Sequence, residues 1–224
     1  MKICKILLVA TFLFQANGPV NAQFLKVVKE NFRVNPFEGK FSAFINALTT
    51  DPDLLNKQVI LKTDTTFFFL KGSYKVFNPF RLNAQRVDMV FAEQETDIVR
   101  RSSQSTYTSY TYQILAYFND TEANRKLLLR DFNRLKRRLT RDGMKTTSLN
   151  LKGVKNIEAG ELINYYYNDS FIYPATLSWQ TMSSSKRIAI ALIVRLSVYD
   201  GEALPAGTVY STVRIPGWGP VYFE

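Results

Sequence analysis

The sequence predicts an α+β protein made of two tandem units, each a helix followed by an antiparallel sheet, and three observations carry that reading. Apolar residues recur at helical spacing twice, as Phe37, Phe41, Phe44, Ile45 and Leu48 and as Leu128, Phe132, Leu135 and Leu139, each series preceded by an Asn-led cap signal. Each helical stretch is followed by about four short runs rich in β-branched and aromatic residues, separated by Gly, Pro and Ser turns. The offset from Asn35 to Asn119, the two cap signals, nearly equals that from Thr106 to Arg187, where the last run of each series starts, and this suggests an internal duplication. Composition agrees with a packed core: of 224 residues, 46% are hydrophobic and 14% aromatic, and a charged fraction of 21% is too low for disorder.

The chain opens with Lys2 and Lys5, continues with the apolar stretch Ile6 to Phe14, and reaches the small residues around Val20-Asn21-Ala22. That order reads as a signal peptide over 1–22, cleaved after Ala22, which sends the protein to the periplasm or outside the cell. The apolar run is about half the roughly 20 residues a membrane-spanning helix needs, so no transmembrane anchor is expected. Cys4 is the sole cysteine and the chain has no histidine. The mature chain therefore offers no disulfide, thiolate nucleophile or imidazole, which excludes histidine-based triads and the usual zinc sites. No cofactor and no metal are expected.

The first unit spans 23–118. Residues 23–34 form an arm of unassigned state. Asn35 then reads as a helix cap, with Pro36 at the first helical position and Glu38 closing a capping box. The helix runs to about Thr50, where Asp51-Pro52-Asp53 ends it. Strands are expected at Val59–Leu61, Thr65–Leu70, Tyr74–Phe77, Arg86–Ala92 and Thr106–Phe118. The second unit spans 119–199. Asn119 and Glu122 repeat the cap chemistry for a longer helix that runs to about Arg141, with Gly143 as the stop. Strands follow at Ser148–Leu151, Glu161–Tyr167, Ala175–Met182 and Arg187–Tyr199, the last with apolar residues at Ile188, Ile190, Leu192, Val194, Leu196 and Val198 and therefore central. Residues 200–224, with Trp218 between two Pro-Gly flanks, read as a tail or edge segment whose tryptophan plugs a groove. One helix wrapped by a curved antiparallel sheet resembles the cystatin-like and nuclear-transport-factor-like (NTF2-like) folds in topology. The Gln-x-Val-x-Gly loop of the cystatins is missing, since Gln58-Val59-Ile60-Leu61-Lys62 lacks its glycine, so protease inhibition is not implied.

Charge is unevenly placed. The net charge of +10 becomes +8 without Lys2 and Lys5, and the segment 121–141 alone holds eight basic residues against Glu122 and Asp131. At about 100° per residue, Lys126, Arg130, Arg134, Arg137 and Arg141 form a band of roughly 80° opposite the apolar stripe. Cations four positions apart repel by roughly 0.2–0.5 kcal/mol per pair, so a sequence shaped by folding alone would interleave acids. Arginine's planar fork suits carboxylate and phosphate groups. These five residues are the expected partner-binding site, for an anionic polymer such as a polysaccharide, a membrane surface or an acidic protein. Nucleic acid ranks last because no nucleic-acid motif accompanies the charge.

Enzymatic readings have weaker support. Glu158 with Glu161, or Glu93 with Glu95 and Asp97, could form a glycosidase pair, but sequence proximity does not set the separation that hydrolysis requires. Ser183-Ser184-Ser185-Lys186 matches Ser-x-x-Lys but falls in a turn, without the motifs that accompany it in β-lactamases. The aromatic runs Phe67–Phe69 and Tyr165–Tyr167 alternate across a strand and so supply core as well as surface. The expectation is an exported, non-enzymatic binding protein that engages an anionic partner through a basic helix face. Its alternatives are a carboxylate-dependent glycan hydrolase and a structural subunit of an envelope or extracellular assembly.

Overall fold

The computed structural model describes residues 22–61, 68–100, 103–141, 143–154, 156–166, 174–182, 185–199 and 202–203. The leader assigned to 1–22 falls almost wholly outside these, as do the tail with Trp218, Ser183-Ser184 and the start of the strand expected at Thr65–Leu70. The described elements are α1 (Ala22–Asn31), α2 (Phe41–Thr50), β1 (Leu54–Leu61), β2 (Phe68–Tyr74), β3 (Arg86–Arg100), β4 (Ser103–Asn119), α3 (Glu122–Thr140), β5 (Lys145–Asn150), β6 (Ile157–Tyr166), β7 (Ala175–Met182), β8 (Arg187–Tyr199) and the short β9 (Glu202–Ala203).

These strands form one antiparallel sheet in the order β1-β2-β3-β4-β8-β7-β6-β5, with β9 against β8. This overturns the expectation of two tandem helix-plus-sheet units. β4 does not end a first sheet: Ser109–Asn119 pairs residue for residue with Arg187–Ser197 of β8, so the two meanders share their central ladder. The physical reason lies in β4 and β8 themselves. Tyr112, Ile114, Ala116 and Phe118 of β4 and Ile188, Ile190, Leu192 and Val194 of β8 lie in the main core, while Leu115, Ala189 and Ala191 are buried on the opposite face. Strands apolar on both faces belong in the middle of a sheet.

All three helices contribute to the main core. Phe24, Val27 and Val28 of α1 with Phe32 just beyond its end, Phe44 and Leu48 of α2, and Leu128, Phe132, Leu135 and Leu139 of α3 join Leu70, Met89, Phe91, Tyr112 and Leu177 from the sheet. Phe32 and Phe44 both pack on Tyr112, with ring centroids 4.5 and 5.5 Å away, and Phe44 meets Phe91 edge-on at 5.4 Å. Such pairs add roughly 0.5–1.5 kcal/mol each beyond area burial.

Both helix-start assignments shift. Asn35 does not cap α2; its side chain accepts the amide of Phe37 in a local turn, and Lys40 occupies the cap position without a side-chain bond. Gly39, at φ +76°, separates that turn from the helix, and Glu38 lies 3.9 Å from Lys29 instead of closing a capping box. The cap of α3 is Thr121, which accepts from Asn124 N at 3.2 Å, while Asn119 contributes its carbonyl to Asn124 Nδ2. The unassigned arm is α1, and Tyr74–Phe77 is no separate strand, since Asp53 Oδ1 and Oδ2 accept the amides of Val76 and Phe77 in a turn.

Gly160 in β6 tests how tightly the outer ladder is built, because a Cβ there would stand 2.6 Å from the Trp179 carbonyl oxygen. Backbone cannot give way as a flexible side chain would, so Gly160→Ala is expected to cost roughly 1–3 kcal/mol in urea unfolding. An unchanged midpoint would contradict this packing.

Candidate functional site

α3 is a continuous helix whose inner stripe is fixed by packing. Leu128, Phe132, Leu135 and Leu139 are each at most 1% exposed. Asp131 lies beside that stripe and is also buried, at 2% exposure. Its Oδ2 accepts the backbone amide of Arg81 at 2.7 Å, and its Oδ1 accepts from Arg134 Nε at 3.1 Å. A buried carboxylate held by a backbone donor and a guanidinium pins the rotation of the helix about its own axis.

That rotation sorts the eight cations of the segment into two sets. Four on the flanks have acidic partners: Arg125 pairs with Asp120, Arg134 with Asp131, Lys136 with Glu161 at 3.0 Å, and Arg138 with Glu30 of α1. Lys126, Arg130, Arg137 and Arg141 are exposed, and among the described residues no carboxylate comes within ion-pair distance of them. On a helical wheel these four fall within roughly 60°, and from Lys126 to Arg141 they extend about 22 Å along the axis. Arg137 Nε reaches only the carbonyl of Asn133, at 3.2 Å. Of the five residues singled out by the sequence, Arg134 stands apart, its side chain 21% exposed and bound to Asp131. Of the acids that neutralise the flanks, Asp120 and Asp131 are neighbours along the chain, whereas Glu30 of α1 and Glu161 of β6 are brought in by the fold, and that spatial pairing cannot be seen along the chain. Asp131 was detectable: three residues after Leu128 and four before Leu135, it sits on the buried side of the wheel.

The flank pairs shift the groups involved. The hydrogen bond from Arg138 holds the Glu30 carboxyl below its ordinary value, and that from Arg125 does the same for Asp120. No family model, curated protein or solved structure matches the chain significantly. Its chemistry therefore has to be argued from the side chains alone, and neither of the two folds it resembles in topology gains support.

Other groups able to carry chemistry are dispersed or engaged. Glu161 is held by Lys136, and Glu158 lies 3.9 Å from Arg125. Glu93 is buried on β3, where burial of the phenol, and after it the Glu93 charge, push Tyr110 up to about 12; the side chains of Glu95 and Asp97 lie outside the described residues. An open cavity of about 380 Å³ at β1, β2 and the start of β3, lined by Asn56, Gln58, Lys71, Ser73, Gln85 and Arg86 among others, has no carboxylate in its wall. Asp88 close by is buried and accepts from Ser73 Oγ and Arg86 Nε, both at 2.6 Å. Among the described residues no cluster of His, Cys, Asp and Glu could hold a metal ion, and no helix is long and apolar enough to cross a membrane.

The pH dependence of stability follows from the flank pairs. Glu30 and Asp120 titrate lower in the folded chain than in the unfolded one, so their contribution is full above the unfolded values and is lost as pH falls through the folded ones. Urea midpoints are expected to drop below about pH 4 and the acid limb to become shallower in Arg138→Met. An identical acid limb in the two proteins would contradict the Glu30–Arg138 linkage.

Proposed function

We propose that this is an exported, non-catalytic binding protein that captures a linear polyanion along the outer crest of α3. The observation that carries the proposal is the division within α3, where each flank cation has an acid and Lys126, Arg130, Arg137 and Arg141 have none among the described residues. Unrelieved repulsion along a crest is retained at a cost to the free protein and is relieved by an anionic ligand. A row of about 22 Å with roughly 60° of angular spread suits a chain of sulfate, carboxylate or phosphate groups better than a compact anion. The basic, apolar and small-residue order of 1–22 supports export, which favours acidic polysaccharide over nucleic acid.

The test compares the protein with Arg130→Glu/Arg137→Glu/Arg141→Glu, leaving Arg134 in place because it supports Asp131. Retention on sulfated and uronate-rich polysaccharide is expected to fall by tenfold or more in the variant, with melting temperature unchanged. Wild-type binding is expected to weaken steeply with added salt, since screening acts on exposed charge. Preferential retention on phosphatidylglycerol vesicles or on an acidic polypeptide would redirect the reading to those partners, and equal retention of both proteins on every matrix would reject it.

A further inference from the structure

The outer edge of β1 is a pairing surface of different chemistry. β1 ends the sheet, and among the described residues no strand covers its free side. Residues 55–60 are exposed throughout, with Leu55, Val59 and Ile60 exposed by 43, 46 and 52%. Exposed sheet edges are normally guarded by a lysine or another charge that blocks pairing. Lys57 is the sole charged residue of this strand, and its ammonium turns back to donate to the Thr49 carbonyl at the end of α2, 2.8 Å away. The charged guard is thus drawn off the edge, which leaves the bulge at Asn56 and Lys57, with Asn56 at φ +53°, as its one irregularity among the described residues.

A bulge makes the edge complementary to itself. Leu55 pairs with Ser73 and Ile60 with Phe69, and the ladder slips between Leu55 and Gln58. Five steps on β1 therefore match four on β2, which returns Leu55 and Ile60 to the same face of the sheet. In an antiparallel pairing of two copies about a two-fold axis through Gln58, each Leu55 lies opposite the other copy's Ile60, and the bulge residues Asn56 and Lys57 together oppose the other copy's Val59. The two Lys57 ammonium groups beside the axis are drawn back to the Thr49 carbonyls, and the cations of α3 lie away from the seam. α3 packs over β7 and β8, about four strand spacings or 19 Å from β1, against a screening length of about 8 Å. The opposite edge, β5, reads Lys-Thr-Thr-Ser-Leu-Asn and lies closer to α3.

We propose that β1 pairs with β1 of a second copy, joining two sheets into one continuous sheet through a closed two-fold contact. A ladder of this length buries less than a standard interface, so the dimer is concentration-dependent. Like pairing at one kind of edge closes, whereas β1 on β5 would propagate into a filament.

The experiment is sedimentation equilibrium across a wide concentration range on the protein expressed from its full coding sequence, with Leu55→Lys, Ile60→Lys and, on the opposite edge, Leu149→Lys. All three positions are exposed, so the variants retain the fold, which melting temperature checks. The expected result is a monomer–dimer equilibrium weakened by roughly tenfold or more in Leu55→Lys and in Ile60→Lys and unchanged in Leu149→Lys, with the β1 amides that point away from β2 protected from hydrogen exchange only at high concentration. A monomer at every concentration, a dimer indifferent to both β1 variants, or open-ended assembly weakened by Leu149→Lys would each overturn the proposal.

Discussion

The ladder between β4 and β8 is the constraint on which the molecule depends. It joins the carboxyl-terminal strands of two meanders, and both faces of the joined pair are apolar. On one face their side chains share the main core with all three helices, so the aromatic packing of Phe32 and Phe44 on Tyr112 and the seating of α3 over β7 and β8 rest on the same ladder. A charge at Ile190 or Leu192 would be buried within hydrophobic surroundings and would disturb several elements together.

A second constraint acts locally but decides how the surface looks. Asp131 is a carboxylate among leucines, and its fixed partners, the Arg81 amide and the Arg134 guanidinium, set which side of α3 faces outward. Buried ion pairs need not stabilise, because desolvation offsets the attraction, but they specify orientation when hydrogen bonds complete them. Here orientation is the functional variable. A small roll of the helix would bring different cations to the crest and different acids to the flanks.

Local periodicity was legible in the sequence, and pairing across distance was not. The alternation in Ile188–Val198 and the stripe of Leu128, Phe132, Leu135 and Leu139 specify a strand and a helix by their own spacing, and both lie at the positions read from it. Which strands are neighbours depends on complementarity between faces far apart in the chain, so β4–β8 pairing was mistaken for the boundary between two sheets. Asn caps failed for a related reason. Asn35 and Asn119 have the right chemistry, but Asn35 finds a nearer turn amide, and Thr121 is better placed to receive Asn124 N. For the basic helix, spacing identified the face and placed Asp131 on the buried side, whereas the Arg81 amide that fixes Asp131 from 50 residues away was not legible.

The order of the sheet also governs how the chain can be made. When β1 to β4 have emerged, the native partner strand of β4 is still about 70 residues away. The nascent protein must carry an apolar strand with one naked side until β8 has been made, and closure of so distant a contact is slow. Such an intermediate is a natural client for holdase chaperones, and a ribosome stalled within α3 would release a product prone to aggregate, not a smaller working version of the protein.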